Sequence, residues 1–267
     1  MNAGSLSLSR VEVRRGKRTI LSVDDLRIRS GEFVGIIGTN GAGKTTLLNV
    51  CCGLIRPSRG SVRLDKHELT MLSGWRKANL RKRIGYIPQA AEYNPEIPYT
   101  LREVVAMGRT STRGLLRRLR REDYDIVDEW IEKLGLSERR RQVFGSLSGG
   151  EQQKALIARA MVQQPEMLLL DEPCSNLDFN WKYQITEIVE RLYCEAKMTV
   201  LVVSHETSLL PASCERVVLL NEGRIVADGQ TQTVLTSETL EKVYGCKIEM
   251  REIGGRLHAI GGGGKQD

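Results

Sequence analysis

The chain has 267 residues and carries 40 Lys and Arg against 33 Asp and Glu, a formal net charge of +7. Hydrophobic residues make up 40% and Gly another 26 positions. That apolar share suits a globular chain with a sizeable core and excludes collagen-like, mucin-like and disordered classes. Three Phe, three Trp and seven Tyr are too few for a single-strand nucleic-acid binder built on stacking.

No segment approaches the roughly 20 apolar residues of a membrane helix, and the first ten residues have no secretory apolar run. The chain is therefore expected in the cytosol, or on a membrane through something it binds there. Cys51, Cys52, Cys174, Cys194, Cys214 and Cys246 make no Cys-x-x-Cys pair, so they read as reduced thiols, mostly buried.

The pattern predicts short β segments over Leu6–Val13 and Ile20–Ile28, with a turn at Arg14–Lys17. Phe33–Ile37 is a short continuous apolar run, the pattern of a strand buried on both faces. A Gly-rich turn follows, and then a helix over Lys44–Leu54 that ends near Gly53 and Pro57. Ser61–Leu64 and Ile84–Ile87 read as further strands. Residues 90–146 differ in character: Ile126, Val127, Trp130, Ile131 and Leu134 share one helical face within Asp123–Leu134. This stretch is expected to form a helical lobe, spanning about 90–160, inserted in the α/β core. Its arginine runs, Arg117–Arg121 and Arg139–Arg141, lack interleaved aromatics and read as a solvated face; no nucleic-acid partner is expected. The α/β rhythm then returns: a helix over Glu151–Gln163, a strand at Met167–Leu170, a helix over Asn180–Ala196 and a strand at Thr199–Val203. Arg216–Leu220 and Arg224–Val226 flank a hairpin turn at Asn221–Gly223. One unit over 1–246, followed by a terminal hairpin and Gly-rich tail over 247–267, is the expected organisation.

Gly38-Thr39-Asn40-Gly41-Ala42-Gly43-Lys44-Thr45, followed by Thr46, fits G-x-x-x-x-G-K-[ST] between a predicted strand and a predicted helix. A triphosphate needs many N–H donors and a helix N-terminus, and side chains at Gly41 and Gly43 would block its approach. Lys44 would reach the β- and γ-phosphates and Thr45 would ligate Mg²⁺. Met167–Glu172 ends an apolar strand in two carboxylates. Asp171 would hold Mg²⁺ through water, and Glu172 would act as general base on the attacking water. Leu147-Ser148-Gly149-Gly150 opens another helix with a hydroxyl and open N–H groups, a second anion-binding element. Two such elements in one chain suggest that each serves a different nucleotide in a head-to-tail dimer.

With Gln89, Asp178 in Ser175–Asp178 and His205 added in order, the sequence resembles the nucleotide-binding subunit of ATP-binding-cassette (ABC) transporters over about residues 5–246. The resemblance implies a P-loop NTPase core with an N-terminal antiparallel β layer, and ATP and Mg²⁺ as cofactors. It implies that Gln89 touches Mg²⁺ and the attacking water and that His205 contacts the γ-phosphate. Ser148, Gly149 and Gly150 would cap the partner's γ-phosphate, and Asp178 would lie in the loop crossing the dimer. Where the family often stacks an aromatic on adenine, this chain has Arg15, whose guanidinium can also stack on a base. The segment Tyr86–Gly108 and the chain after Leu240 resemble branches importing metal chelates, zinc or manganese. Integral membrane permease subunits and an extracytoplasmic substrate-binding protein are the implied partners, at the cytoplasmic face of the inner membrane. Tyr93, Ile97, Tyr99 and Leu101 are candidate permease anchors. An exporter subunit, a soluble ABC ATPase acting on nucleic acid or ribosomes, and a nucleotide-gated scaffold are the alternatives.

Overall fold

Leu6, Leu8, Val11 and Val13 are the buried apolar positions of β1 (Leu6–Arg15), kept in phase past a bulge at Arg10, whose φ is 48°. The computed structural model describes residues 4–89, 98–114 and 117–261. The chain turns at Gly16 into β2 (Arg18–Ile28), which pairs antiparallel with β1, Leu6 opposite Ile28. β3 (Phe33–Gly38) is buried at every residue and feeds α1 (Lys44–Cys51). β4 (Arg59–Leu64) and β5 (His67–Glu68) complete the antiparallel portion. After α2 (Gly74–Arg81) and β6 (Ile84–Ile87) come three helices: α3 (Leu101–Arg113), α4 (Arg121–Lys133) and α5 (Gly149–Met161). β7 (Met167–Asp171), α6 (Phe179–Ala196), β8 (Thr199–Ser204), β9 (Arg216–Asn221) and β10 (Arg224–Gln230) finish the core. α7 (Thr231–Val234), α8 (Ser237–Tyr244) and the antiparallel pair β11 (Ile248–Ile253) and β12 (Arg256–Gly261) close the described chain.

The strand order is β5-β4-β1-β2-β10-β9-β3-β8-β7-β6. β9, β3, β8, β7 and β6 run parallel, and β10 turns antiparallel on β9 through Asn221–Gly223. The antiparallel layer joins this core through the pair Arg224 and Ser22. α1 sits between the two portions: Leu47, Leu48 and Val50 share one core cluster with Leu8, Val23 and Val62 on one side and Ile36, Leu169 and Val203 on the other. A second cluster on the opposite face of the parallel strands joins Ile37, Leu170 and Val202 to Val105, Ile131 and Ile157 of the three helices.

The expected strands form, and the predicted helices form with modest end shifts. α1 stops at Cys51 because Gly53 takes the left-handed conformation (φ 64°). α2, α3 and β5 were not singled out by the hydrophobic pattern. α2 buries none of its residues. Cys51, Cys52, Cys174 and Cys214 are buried free thiols, as expected, while Cys194 and Cys246 are exposed.

An ionic latch fixes the helical lobe. Asp123, fully buried on α4, accepts from Arg109 of α3 at 2.8 Å and from Arg113 at 2.7 Å. Arg109 also donates to the Val162 carbonyl at 2.8 Å, tying both helices to the end of α5. Burial opposes the Asp123 charge, but the Arg120 N–H and both guanidinium groups outweigh it and hold the carboxyl at about 2. Its folded value lies below the unfolded one, so the stabilisation is present above the ordinary carboxylate range and is lost as pH falls through about 4 towards 2. Asp123→Ala leaves the buried Arg109 without its carboxylate and is expected to destabilise the chain by about 3 kcal/mol. Chemical denaturation at neutral pH checks this, and the gap between variant and parent should shrink near pH 2.

Candidate nucleotide site

The chain leaves β3 at Gly38 under tight constraint: a Cβ there would lie 2.2 Å from the Leu220 carbonyl oxygen of β9. Gly41 (φ 78°) and Gly43 (φ 95°) take left-handed conformations, and Gly43 is the N-cap of α1. The loop curls around Lys44, whose Nζ donates to the carbonyls of Gly38 at 2.9 Å and Thr39 at 3.0 Å. Asn40 to Thr46 face a cleft of about 570 Å³ that is also lined by Ile20, Gln89, Glu172, Asn176, Lys182 and His205. The loop leads directly into the N-terminus of α1, whose first-turn N–H groups have no acceptor within the helix and favour an anion.

β7 delivers the carboxylates from the neighbouring side. Asp171 is buried at the strand's end and accepts from the Thr45 hydroxyl at 3.2 Å. Its other oxygen, Oδ2, is buried without a hydrogen-bond partner. Burial pushes the Asp171 carboxyl up and the Lys44 ammonium down, each towards neutrality. Tyr86 of β6 stands beside Asp171, and its phenol is raised by burial and by that carboxylate. Glu172 follows with φ 48°, while its N–H stays bonded to Val203 of β8 at 3.1 Å. This uncommon backbone for a non-glycine residue carries the carboxylate into the cleft.

Three groups converge on Glu172. Gln89 Nε2 donates to its Oε2 at 3.0 Å, Lys44 Nζ lies 3.8 Å from its Oε1 and His205 Nδ1 lies 3.6 Å from Oε2. A carboxylate with one amide donor and two neighbouring nitrogens, in a cleft with a phosphate loop, is equipped to orient and deprotonate water beside a terminal phosphate. A divalent ion fits the same place: a buried unpartnered carboxylate oxygen sits beside the Thr45 hydroxyl, both hard oxygen donors. Among the described residues no group of three or more His, Cys, Asp or Glu forms a metal cluster. An ion here would therefore share its ligands with the phosphates and neutralise their charge.

The other expected residues stand elsewhere. Ser148 caps α5: its Oγ accepts from the Glu151 N–H at 3.3 Å, and Glu151 accepts from the Ser148 N–H at 2.9 Å. Arg139 braces that carboxylate at 3.1 Å. Gly150 is required by packing, since a Cβ would fall within 1.9 Å of the Trp181 ring of α6. Asp178 caps α6, accepting from the Trp181 N–H at 2.9 Å. None of Ser148, Gly149, Gly150 or Asp178 lines the cleft of its own chain. Neither does Arg15, which is exposed at the end of β1; the hairpin residue at the cleft is Ile20.

Sequence reasoning missed Lys182 and Glu206, an ion pair that lines the cleft beside His205. Lys182 lies one turn into α6 after the Asp178 cap, so its direction follows from the helix once that cap is recognised. Tyr86 was also missed. No local signal marks it, because its role comes from pairing β6 with β7, Tyr86 opposite Leu169.

Comparison with known proteins agrees with this geometry. A family model described as "ABC transporter" matches residues 21–175. The petrobactin import ATP-binding protein FpuC of Bacillus anthracis is 30% identical over 245 residues, covering 92% of this chain and 88% of its own. The manganese transport system ATP-binding protein MntB of Bacillus subtilis is 32% identical and covers 91% and 93%. Among solved structures, an inward-facing metal-chelate type ABC transporter, itself described as putative, superposes with a TM-score of 0.82 at 25% identity, covering 97% of both chains. The dimeric cassette MJ0796 bound to ADP and Pi gives 0.74 at 28% identity, covering 84% of this chain and 98% of that one.

Glu172→Gln keeps the cleft's shape but removes the base. It is expected to bind ATP and to hydrolyse it at least about 100-fold more slowly, within the span for general-base loss; steady-state phosphate release measures this, and near-normal turnover would remove Glu172 from the role. The Gly-rich loop curled around the buried Lys44, the Asp171–Glu172 strand end and the family match over residues 21–175 together place the chain in the ABC transporter family, as one of its ATP-hydrolysing cassettes.

Proposed function

We propose that this chain powers an importer of a metal ion or metal chelate, working as a head-to-tail homodimer on the cytoplasmic face of the inner membrane. The observation that carries the reading is the reach of the likeness: the petrobactin and metal-chelate proteins match this chain over 92% and 97% of its length, well past the catalytic strands. Among the described residues no helix is long and apolar enough to cross a membrane, so work on a membrane falls to integral permease subunits. An extracytoplasmic substrate-binding protein would deliver the cargo.

In this reading Thr45, Asp171 and Gln89 would hold Mg²⁺, which would supply charge neutralisation at the β- and γ-phosphates. Glu172 is the base, His205 holds the γ-phosphate, and Gln89 reports its occupancy to the lobe. The hairpin presents Ile20 to the base, while Arg15, the residue suggested by sequence, stands outside the cleft. The groove lined by Leu54, Trp75, Ala78, Tyr86, Thr110 and Gly114 takes the permease. Trp75, 77% exposed, is its prominent apolar side chain. Of the anchors suggested by sequence, Tyr99 is exposed, but Leu101 is fully buried and packs the lobe instead. Tyr93 and Ile97 lie outside the described residues.

The position of Ser148–Gly150 outside its own cleft supports sharing of each ATP between two copies. A Lys44→Ala chain and a Gly149→Asp chain should each be inactive alone. Mixed, they should recover up to about a quarter of parent activity per chain, the fraction expected when a mixed dimer holds one composite site with both elements intact. No recovery, with mixed dimers shown by crosslinking, would count against shared sites.

The cargo is tested in cells. Deleting the gene should lower uptake of radiolabelled iron, zinc or manganese, with rescue by the parent gene and not by Glu172→Gln. Normal metal uptake with loss of another solute's transport would overturn the cargo class and leave the ATPase chemistry standing.

A further inference from the structure

The terminal hairpin lies beyond the family match, which ends at residue 175, and no step described above uses it. Yet it does not project freely. Ile248 belongs to the main core cluster, and Met250 and Leu257 pack against that cluster. β11 is anchored by two hydrogen bonds to α8: the Ile248 N–H donates to Glu241 at 3.0 Å and the Met250 N–H to Ser237 at 3.1 Å. Its partner strand β12 lies against the short 3₁₀ turn Thr207–Leu209, which begins two residues after His205.

Two contacts define that meeting. The Ala259 N–H of β12 donates to Thr207 Oγ1 at 3.1 Å, and Thr207 is buried. The Arg256 guanidinium lies 5.2 Å from the Tyr183 ring centroid on α6. One Arg256 nitrogen, Nη1, is buried with no hydrogen-bond partner, so this end of the guanidinium is enclosed by packing and not by solvent. Tyr183 in turn packs on Phe179, the residue after the Asp178 cap, with centroids 4.6 Å apart.

The segment carrying His205 is thus held from two sides. On the cleft side, Ser204 Oγ accepts from the Glu206 N–H at 3.0 Å, and Glu206 pairs with Lys182 of α6. Away from the cleft, the hairpin grips Thr207 and, through Tyr183, the same helix α6. His205 itself is 46% exposed, with no hydrogen bond among the described residues besides its approaches to Glu172 and Glu206, each at 3.6 Å. Its ring position therefore depends on its backbone.

We propose that the hairpin β11–β12 is a positioning element for His205: Ala259 and Arg256 fix the turn Thr207–Leu209 against α6, and so set where the imidazole meets the terminal phosphate. The hairpin touches no reacting atom and acts through His205. This rests on the assignment of His205 to the γ-phosphate. A rigid backbone matters here because a catalytic group displaced by about 1 Å can lose about 100-fold in rate.

The test uses the full chain with Thr207→Val, which removes the acceptor at nearly constant volume, and Arg256→Ala with Arg256→Lys as the conservative rescue. Thr207→Val and Arg256→Ala are expected to lower kcat for ATP three- to tenfold, with KM within twofold of the parent. Arg256→Lys keeps the cation over Tyr183 and should restore at least half of kcat. Hydrogen exchange at amides 205–210 should quicken about tenfold in the two disruptive variants, while β3 and β7 exchange as in the parent. In a His205→Ala background, the hairpin substitutions should change the residual rate by less than 1.5-fold. Unchanged exchange at 205–210, unchanged kcat in both disruptive variants, or a full loss repeated in the His205→Ala background would each overturn the proposal. A His205→Ala chain with parent-like kcat would instead show that the role of His205 is at fault. The exchange measurement still reports whether the hairpin holds the turn.

Discussion

The nucleotide site depends on one close approach, between the back of the phosphate loop and the turn joining β9 to β10. Gly38 lies against the Leu220 carbonyl, and a Cβ on Gly43 or Gly223 would come within 3.1 Å or 2.4 Å of the Ile20 carbonyl oxygen. The Gly223 N–H donates to Ala42 at 3.0 Å, and the Ser22 N–H donates to Gly223 at 2.7 Å. Three backbones are thus pressed together with no room for side chains between them. The same contact welds the antiparallel layer to the parallel core, whose ladder connection is the pair Arg224 and Ser22. The phosphate loop and Ile20 consequently belong to one rigid unit, although they come from different sheet portions.

On that frame the electrostatics are set by burial. Lys44 is 5% exposed and Asp171 is fully buried. Each is driven towards neutrality, so each gains when a charge of the opposite sign arrives, as a phosphate does for Lys44 and a divalent ion for Asp171. Glu172 lies one residue further along β7, where the chain leaves the sheet in a left-handed conformation. Adjacent carboxylates therefore face different surroundings: Asp171 a closed pocket, Glu172 the open cleft. The strands beneath them, Leu168–Leu170 and Val200–Val203, are almost wholly buried and hold these costly charges in place.

A second set of ties binds the three helices α3, α4 and α5 to one another. Asp123, Arg109 and the Val162 carbonyl bind α3 and α4 to the end of α5. The start of α5 is Ser148–Gly150, packed on Trp181 of α6. α5 is therefore tied at its end to α3 and α4 and packed at its start on the helix that Asp178 caps.

How much of this was legible in the sequence follows from what each signal depends on. Gly38–Thr45 and Asp171-Glu172 are local: backbone freedom at glycine and an apolar run ending in acid are written in neighbouring residues, and the structure sets the first between a strand and a helix and the second at a strand end. The buried strands are local too, since continuous apolar runs identify them. α3 carries a capping box, Thr100 with Glu103, and could have been recognised from it. α2 gave a weaker signal, because it has only eight residues and buries none of them. Only the tertiary structure decided that Ile20 lines the cleft in place of Arg15, that Leu101 is core, and that Lys182 meets Glu206. Likewise, only the fold brings Ala259 to Thr207 and Arg256 to Tyr183. These are long-range pairings, set by strand order and helix packing, and no spacing along the chain encodes the distance between residues that meet only after the sheet has formed.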